Sequence, residues 1–274
     1  MRIFRQVKLL IAESHSLRHF YVIIFLIYHF IYFFIQHANI YIVKMYTKEQ
    51  KPISKIKLFI QFIIAIPCMI LIVFYPAGTL NWMEGWLYII LQLGYTISIS
   101  IYFLKHNPEI IRKRMQMKIP PKKFDKIIMI PFVLSMFALL IVPGLDVVRY
   151  KWSSIPIYFE IIGFVGFIFT SYLLFLIMKV NSYLLKTVEI QENQKVVSEG
   201  LYSYVRHPMY IVVMIMFFSI ALALGSIYTF IPAIIVAIIL VIRTHFEDKT
   251  LQNELKGYKE YTKKVPYKLI PKIW

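Results

Sequence analysis

Seven apolar runs separated by short, mostly basic loops leave this chain essentially one architecture. The runs are residues 20–43, 58–75, 82–104, 127–148, 155–178, 208–224 and 226–242. About 20 apolar residues cross the hydrocarbon core of a bilayer as a helix, and a helix satisfies its own backbone polar groups there. The composition agrees: 59% of the 274 residues are hydrophobic, against about 45–50% in a soluble domain. The expected fold is therefore all-α. It is a polytopic membrane helical bundle with a six-span core, a possible extra N-terminal helix, and a cytoplasmic C-terminal helix.

The net charge of +17 could suggest a nucleic-acid partner, but the basic residues sit between the apolar runs. That pattern fits the positive-inside rule and an anionic membrane face, so membrane lipids, not nucleic acid, are the expected partners. Residues 44–57 hold 5 Lys and Arg, residues 105–126 hold 8, 179–207 hold 4 and 243–274 hold 8, whereas 76–81 and the 225–226 turn hold none. The six later runs then alternate cleanly, with the richly basic segments and the C-terminus cytoplasmic. An integral, multi-pass protein of a bacterial inner membrane is the expected setting. The first run breaks the pattern, because a span there would put basic residues 1–19 outside. Residues 1–51 thus read as an extension carrying an accessory helix, or their part before Met45 as a non-native extension with the true start at Met45. Residues 52–274 form the expected functional domain.

The last two runs are short and meet at Gly225 and Ser226, so a tight helical hairpin is expected there. Pro67 and Pro232 lie inside runs and predict kinks. Residues 244–263 read as an interfacial helix with Leu251, Leu255, Tyr258 and Tyr261 along one side. The lone Cys68 excludes an internal disulfide. His15 and His19 share a helix face without a carboxylate partner at metal-binding spacing, so no metal site is expected. No GxGxxG, GxxxxGK[ST], HExxH or CxxC motif occurs, and any cofactor site must be built from membrane helices and their loops.

Two polar clusters are candidates to build it. The first is EIQENQKVVSEGLYSYVRHPMY at 189–210, which crowds Tyr202, Tyr204, Arg206, His207, Pro208 and Tyr210 against the start of an apolar run. Arg and His are costly at the mouth of a membrane helix unless they face protein, water or a ligand. Pro208 suits the first turn of a helix, which places Arg206 and His207 just before its positive end, where an anion would be favoured. The second cluster is Arg243, Glu247 and Asp248. Arg243 and Glu247 share a helix face, either as a simple surface pair or as part of a site. The hairpin returns the chain to the same membrane face, so the two clusters should be neighbours. An Arg-His anion site, a carboxylate and several Tyr faces suit a ligand with a carboxylate, an amine, ribose hydroxyls and an aromatic base, and equally a nucleotide or a lipid headgroup.

The block GLYSYVRHPMY, the LGS turn at 224–226, RTHFEDKTLQNELKGYKEY and VPYKLIPKIW resemble the isoprenylcysteine carboxyl methyltransferase family, which belongs with the membrane phospholipid methyltransferases. NPEIIRKR at 107–114, PGLD at 143–146 and Asn181 extend the resemblance, which covers about 52–274. It implies an integral membrane methyltransferase using S-adenosyl-L-methionine, with a lipophilic or lipidated acceptor entering from the bilayer. By motif, the resemblance places Gln191, Lys195, Val196 and Val197 along the cofactor. Tyr202, His207, Pro208, Met209 and Tyr210 match the central cofactor contacts. Glu247 matches a cofactor-binding carboxylate, and Arg243 a substrate-binding residue beside the acceptor; both are the expected catalytic residues. Asp248 stands where a second Glu is common. Two other classes stand beside this reading: a sterol-reductase-like membrane enzyme using NADPH, and a non-enzymatic transporter.

Overall fold

The computed structural model describes residues 55–115, 122–184, 188, 190, 191 and 194–274, which belong to one compact unit, Ile53–Trp274. The expectations for residues 1–51 and for the first apolar run lie outside the described residues. Among the described residues there are eight α-helices and no strand. They are α1 (Lys55–Ala77), α2 (Met83–His106), α3 (Pro108–Met115), α4 (Lys123–Pro143), α5 (Ile157–Val180), α6 (Pro208–Ala223), α7 (Phe230–Glu254) and α8 (Tyr258–Lys264). The all-helical membrane-type fold read from the sequence is the one observed.

Among the described residues, four stretches are long and apolar enough to cross a membrane: Met83–His106, Lys123–Arg149, Ile157–Val180 and Phe230–Glu254; Ile63–Ala77 and Pro208–Ala223 are apolar but shorter. Their outward faces carry side chains such as Ile90, Ile127, Ile161 and Val165, each more than half exposed. In water that surface would be a severe aggregation liability; against lipid it is at home.

Inside, the helices meet where side chains are small. On α5, Gly163 and Gly166 face α6 so closely that a Cβ at Gly163 would lie 2.2 Å from the Ala223 backbone nitrogen. Lipid offers helices no hydrophobic drive to associate, so such close van der Waals approach has to supply it. Thr170, fully buried on the same helix, returns its hydroxyl to the Gly166 carbonyl at 2.7 Å. Around α6 packs an aromatic and aliphatic core that includes Phe74, Trp82, Phe167, Phe217 and Leu240.

The end of this unit remote from residues 206–210 is tied by Asp146. α4 continues into a π-helical turn, Gly144–Arg149, which carries this fully buried carboxylate. Its Oδ2 accepts hydrogen bonds from Ser153 Oγ at 2.7 Å and Ser226 Oγ at 2.6 Å. The PGLD segment thereby holds the α6–α7 turn. That turn is longer than the two residues expected, because α7 starts only at Phe230, and Gly225 supplies its positive φ of 70°. The late start moves Pro232 into the first turn of α7, where the missing N–H costs nothing, so the kink expected there is not required. α1 runs through Pro67 without interruption.

The tail also departs from expectation. α7 is one helix from Phe230 to Glu254, so its apolar part runs straight on into Arg243, Glu247 and Asp248. The single helix expected over 244–263 is broken at 255–257, where Gly257 takes φ 85° and sends α8 off in a new direction. Lysine and glutamine side chains favour helix there, but the left-handed glycine ends it.

Candidate active site

α6 begins as its sequence predicts. His207 is the last residue before it and Pro208 occupies the first turn. Residues 206–207 are held from outside by backbone pairing: Arg206 N–H donates to the Tyr267 carbonyl at 3.0 Å and His207 N–H to the Lys268 carbonyl at 2.9 Å. The VPYKL segment after α8 thus lies along the start of α6.

Arg206 does not form the open anion site expected of it. It is 6% exposed, and its guanidinium grips Asp248 with Nε to Oδ1 at 2.8 Å and Nη2 to Oδ2 at 3.1 Å. Its Nη1 donates to the Val265 and Pro266 carbonyls at 2.7 and 2.8 Å. Burial of a charge is tolerated only with such complete pairing. Asp248, whose role the sequence left open, is the hub. It also accepts from Gln252 Nε2 at 2.8 Å and from the Tyr258 hydroxyl at 3.1 Å, with His207 Nε2 at 3.3 Å. One carboxylate joins α6, α7, α8 and the C-terminal segment.

The second polar layer lies one helical turn back on α7. The Tyr210 hydroxyl donates to Glu247 Oε2. Arg243 rests 5.9 Å from the centre of the Tyr210 ring, within cation–π range. Its Nε lies 3.1 Å from Oδ1 of Asp125, in the first turn of α4. Asp125 is 1% exposed and its Oδ2 also accepts the Val188 N–H at 2.9 Å. Arg243 is thus paired with Asp125, and Glu247 stands one turn along the same helix.

A cleft opens between these layers, with about 820 Å³ of empty space when the open solvent at its mouth is included. Of the residues expected along a cofactor, Lys195, Val196, Val197, Tyr202, His207, Met209, Tyr210 and Glu247 line it together, with Arg243, expected beside the acceptor, among them. Gln191 and Pro208 are not among its lining residues. Gln194 takes the lining position, and Gln191 Nε2 turns to the Tyr183 carbonyl at 2.6 Å.

The structure adds residues that the sequence did not single out as site residues. Tyr258 and Tyr261, expected as interfacial anchors, are buried and face the cleft with Leu251 and Leu255. The Tyr261 hydroxyl donates to the Tyr202 carbonyl at 2.6 Å, and Asn181 Nδ2 donates to the Tyr202 hydroxyl at 2.9 Å. Burial pushes the Tyr261 phenol up to about 12. Burial, and then the charge of Asp248, raise that of Tyr258 further. Both stay protonated and remain donors across the physiological range.

Residues 158–257 match the family model described as phospholipid methyltransferase. No curated protein matches the chain. The match takes in nearly all of α5, the whole of α6 and α7, and both polar clusters; Asp125, α8 and the VPYKL segment lie outside it. The family resemblance carried by the RHPMY block is consistent with this match.

Proposed function

We propose that this chain, a membrane methyltransferase by its match at 158–257 and its apolar helices, uses S-adenosyl-L-methionine and passes the methyl group to a lipophilic acceptor at the cytoplasmic membrane face. The observation that carries this reading is the cleft itself, where the start of α6 meets Glu247 among Tyr202, Tyr258 and Tyr261. Its donor set fits such a cofactor. The Glu247 carboxylate suits a cationic sulfonium or ammonium, and buried aromatic faces suit an adenine. When bound, the cofactor supplies a methyl group already activated by its positive sulfur.

The chain then has little covalent chemistry to perform and acts by alignment and exclusion of water. Glu247, held by the Tyr210 hydroxyl, offers its carboxylate to the cationic part of the cofactor. Arg243 faces the acceptor. Val196 and Leu251, packed on the cluster of Leu255, Tyr258 and Tyr261, close the cofactor side with an apolar wall. An isoprenylcysteine-like carboxylate, a lipid amine or a related lipophile would reach the cleft from the bilayer.

The test is calorimetric titration of the detergent-purified protein with S-adenosylmethionine and S-adenosylhomocysteine, with NADPH as control. Saturable binding of the first two and none of NADPH is expected; binding of NADPH alone would replace this reading with a reductase. Glu247→Gln should weaken S-adenosylmethionine about 10- to 100-fold, the worth of one hydrogen bond to a charged group. Arg243→Lys keeps the charge but not the planar fork. It should leave cofactor affinity within about twofold and lower turnover about tenfold or more, as loss of alignment does. Full turnover in that variant would remove Arg243 from the acceptor side.

A further inference from the structure

We infer that Asp125 is a specificity-setting residue which, acting through Arg243, turns the acceptor side of the cleft against anionic groups. The inference rests on the methyltransferase reading above and on Arg243 facing the acceptor. Asp125 does not line the cleft, but Arg243 does. The carboxylate is 1% exposed and the guanidinium 11%, so little solvent screens the pair. Nη2 donates to Oδ2 at 3.4 Å, and Nε lies 3.1 Å from Oδ1 at ion-pair distance without hydrogen-bond alignment. The Val188 N–H holds Oδ2 from the other side at 2.9 Å, which fixes the carboxylate in place.

An arginine in a cleft ordinarily invites a carboxylate or phosphate. Here its charge is already met by a fixed internal partner, and Glu247 adds a second negative charge one turn along α7. A carboxylate-bearing acceptor would have to share Arg243 with Asp125 and approach Glu247 as well. An acceptor whose reacting group is uncharged meets no such penalty. Position 125 therefore sets which acceptor charge the cleft admits. Substitution there should change charge preference without touching the cofactor.

The test uses two probes that differ only in charge, N-acetyl-S-farnesylcysteine and its carboxamide, titrated into the full-length protein saturated with S-adenosylhomocysteine. The wild type should bind the carboxamide at least as tightly as the carboxylate. Asp125→Asn keeps the size and the acceptor for Val188 but removes the charge; it should raise the carboxylate-to-carboxamide affinity ratio about tenfold or more, the scale of a charge-assisted hydrogen bond. Asp125→Glu should restore the wild-type ratio, and adding Arg243→Gln to Asp125→Asn should abolish the gain. A merely structural carboxylate would shift both probes together and leave the ratio unmoved, which overturns the inference. Tenfold preference of the wild type for the carboxylate also overturns it. Cofactor titration of each protein separates the two levels. A wild type that binds no cofactor defeats the methyltransferase reading, whereas intact cofactor binding with an unchanged ratio defeats only the role of Asp125. Should Asp125→Asn lose cofactor binding, Asp125→Ser is the second variant, and loss in both marks a folding residue and overturns the inference.

Discussion

Asp248→Ala is expected to lower the stability of the protein by about 3–5 kcal/mol, the cost of leaving a buried charge without its partner, and to abolish cofactor binding. The charge left behind is that of Arg206, whose side chain is 5% exposed and has no other acid within ion-pair distance among the described residues. The loss also frees the Tyr258 and Gln252 side chains, which both donate to the same carboxylate. With the hub gone, α8 and the VPYKL segment lose their joint hold on the start of α6, and Tyr258 and Tyr261 leave the wall of the cleft. The measurement is the thermal midpoint in detergent alongside calorimetric titration with S-adenosylhomocysteine. The double variant Arg206→Met with Asp248→Leu removes both charges and should be less destabilised than Asp248→Ala alone. A double variant as unstable as the single would mean that shape, not charge, makes Asp248 costly to replace.

Gly163→Leu should be the most damaging change far from the cleft. The atoms a Cβ would meet are all backbone: Ala223 N at 2.2 Å, with Ala223 Cα and Leu222 C at 2.7 Å. No rotamer change relieves that overlap, so α5 and α6 must separate, at about 3 kcal/mol or more, the upper end of overpacking costs. Gly166→Ala is the informative comparison. Its Cβ would meet Ser219 Oγ at 2.5 Å, a side-chain atom that can rotate away, so a loss near 1 kcal/mol is expected, at the mild end of the same range. Gly94→Ala on α2 meets nothing within 4 Å and should be neutral or slightly stabilising. Thermal midpoints of the three variants in one detergent give the order directly; an equal loss in all three would mean that the α5–α6 approach is not what these glycines serve.

What could be read from the chain beforehand depended on how local the cause was. Pro208 fixes the start of α6 through its own φ and its missing N–H, so the helix start was legible from one residue. The spacing of Arg243 and Glu247 put both on one turn of a helix, and the apolar hairpin between the clusters implied that they meet. Asp125 was not legible. It lies 118 residues before Arg243, and a single Asp amid lysines at a helix start reads as a dipole partner in solvent. Arg206 misled for the same reason: beside a helix start it reads as an anion receptor until Asp248, 42 residues on, is seen to fill it. Tyr258 and Tyr261 carry the composition of a membrane anchor, and only the turn at Gly257 redirects them inward. That glycine was the available signal, since a left-handed residue is its commonest reason for following a helix.

The continuity of α7 has a consequence for bilayer thickness. Residues 230–242 supply about 20 Å of apolar helix before Arg243, less than the hydrocarbon depth of about 30 Å. Because no hinge separates the two parts, Arg243 and Glu247 cannot choose their height independently of the apolar segment below them. A thicker membrane must thin locally around this helix or draw the two side chains toward hydrocarbon, and a thinner one relieves the mismatch. The level at which donor and acceptor meet is thus set by the lipids around the protein as well as by its own fold.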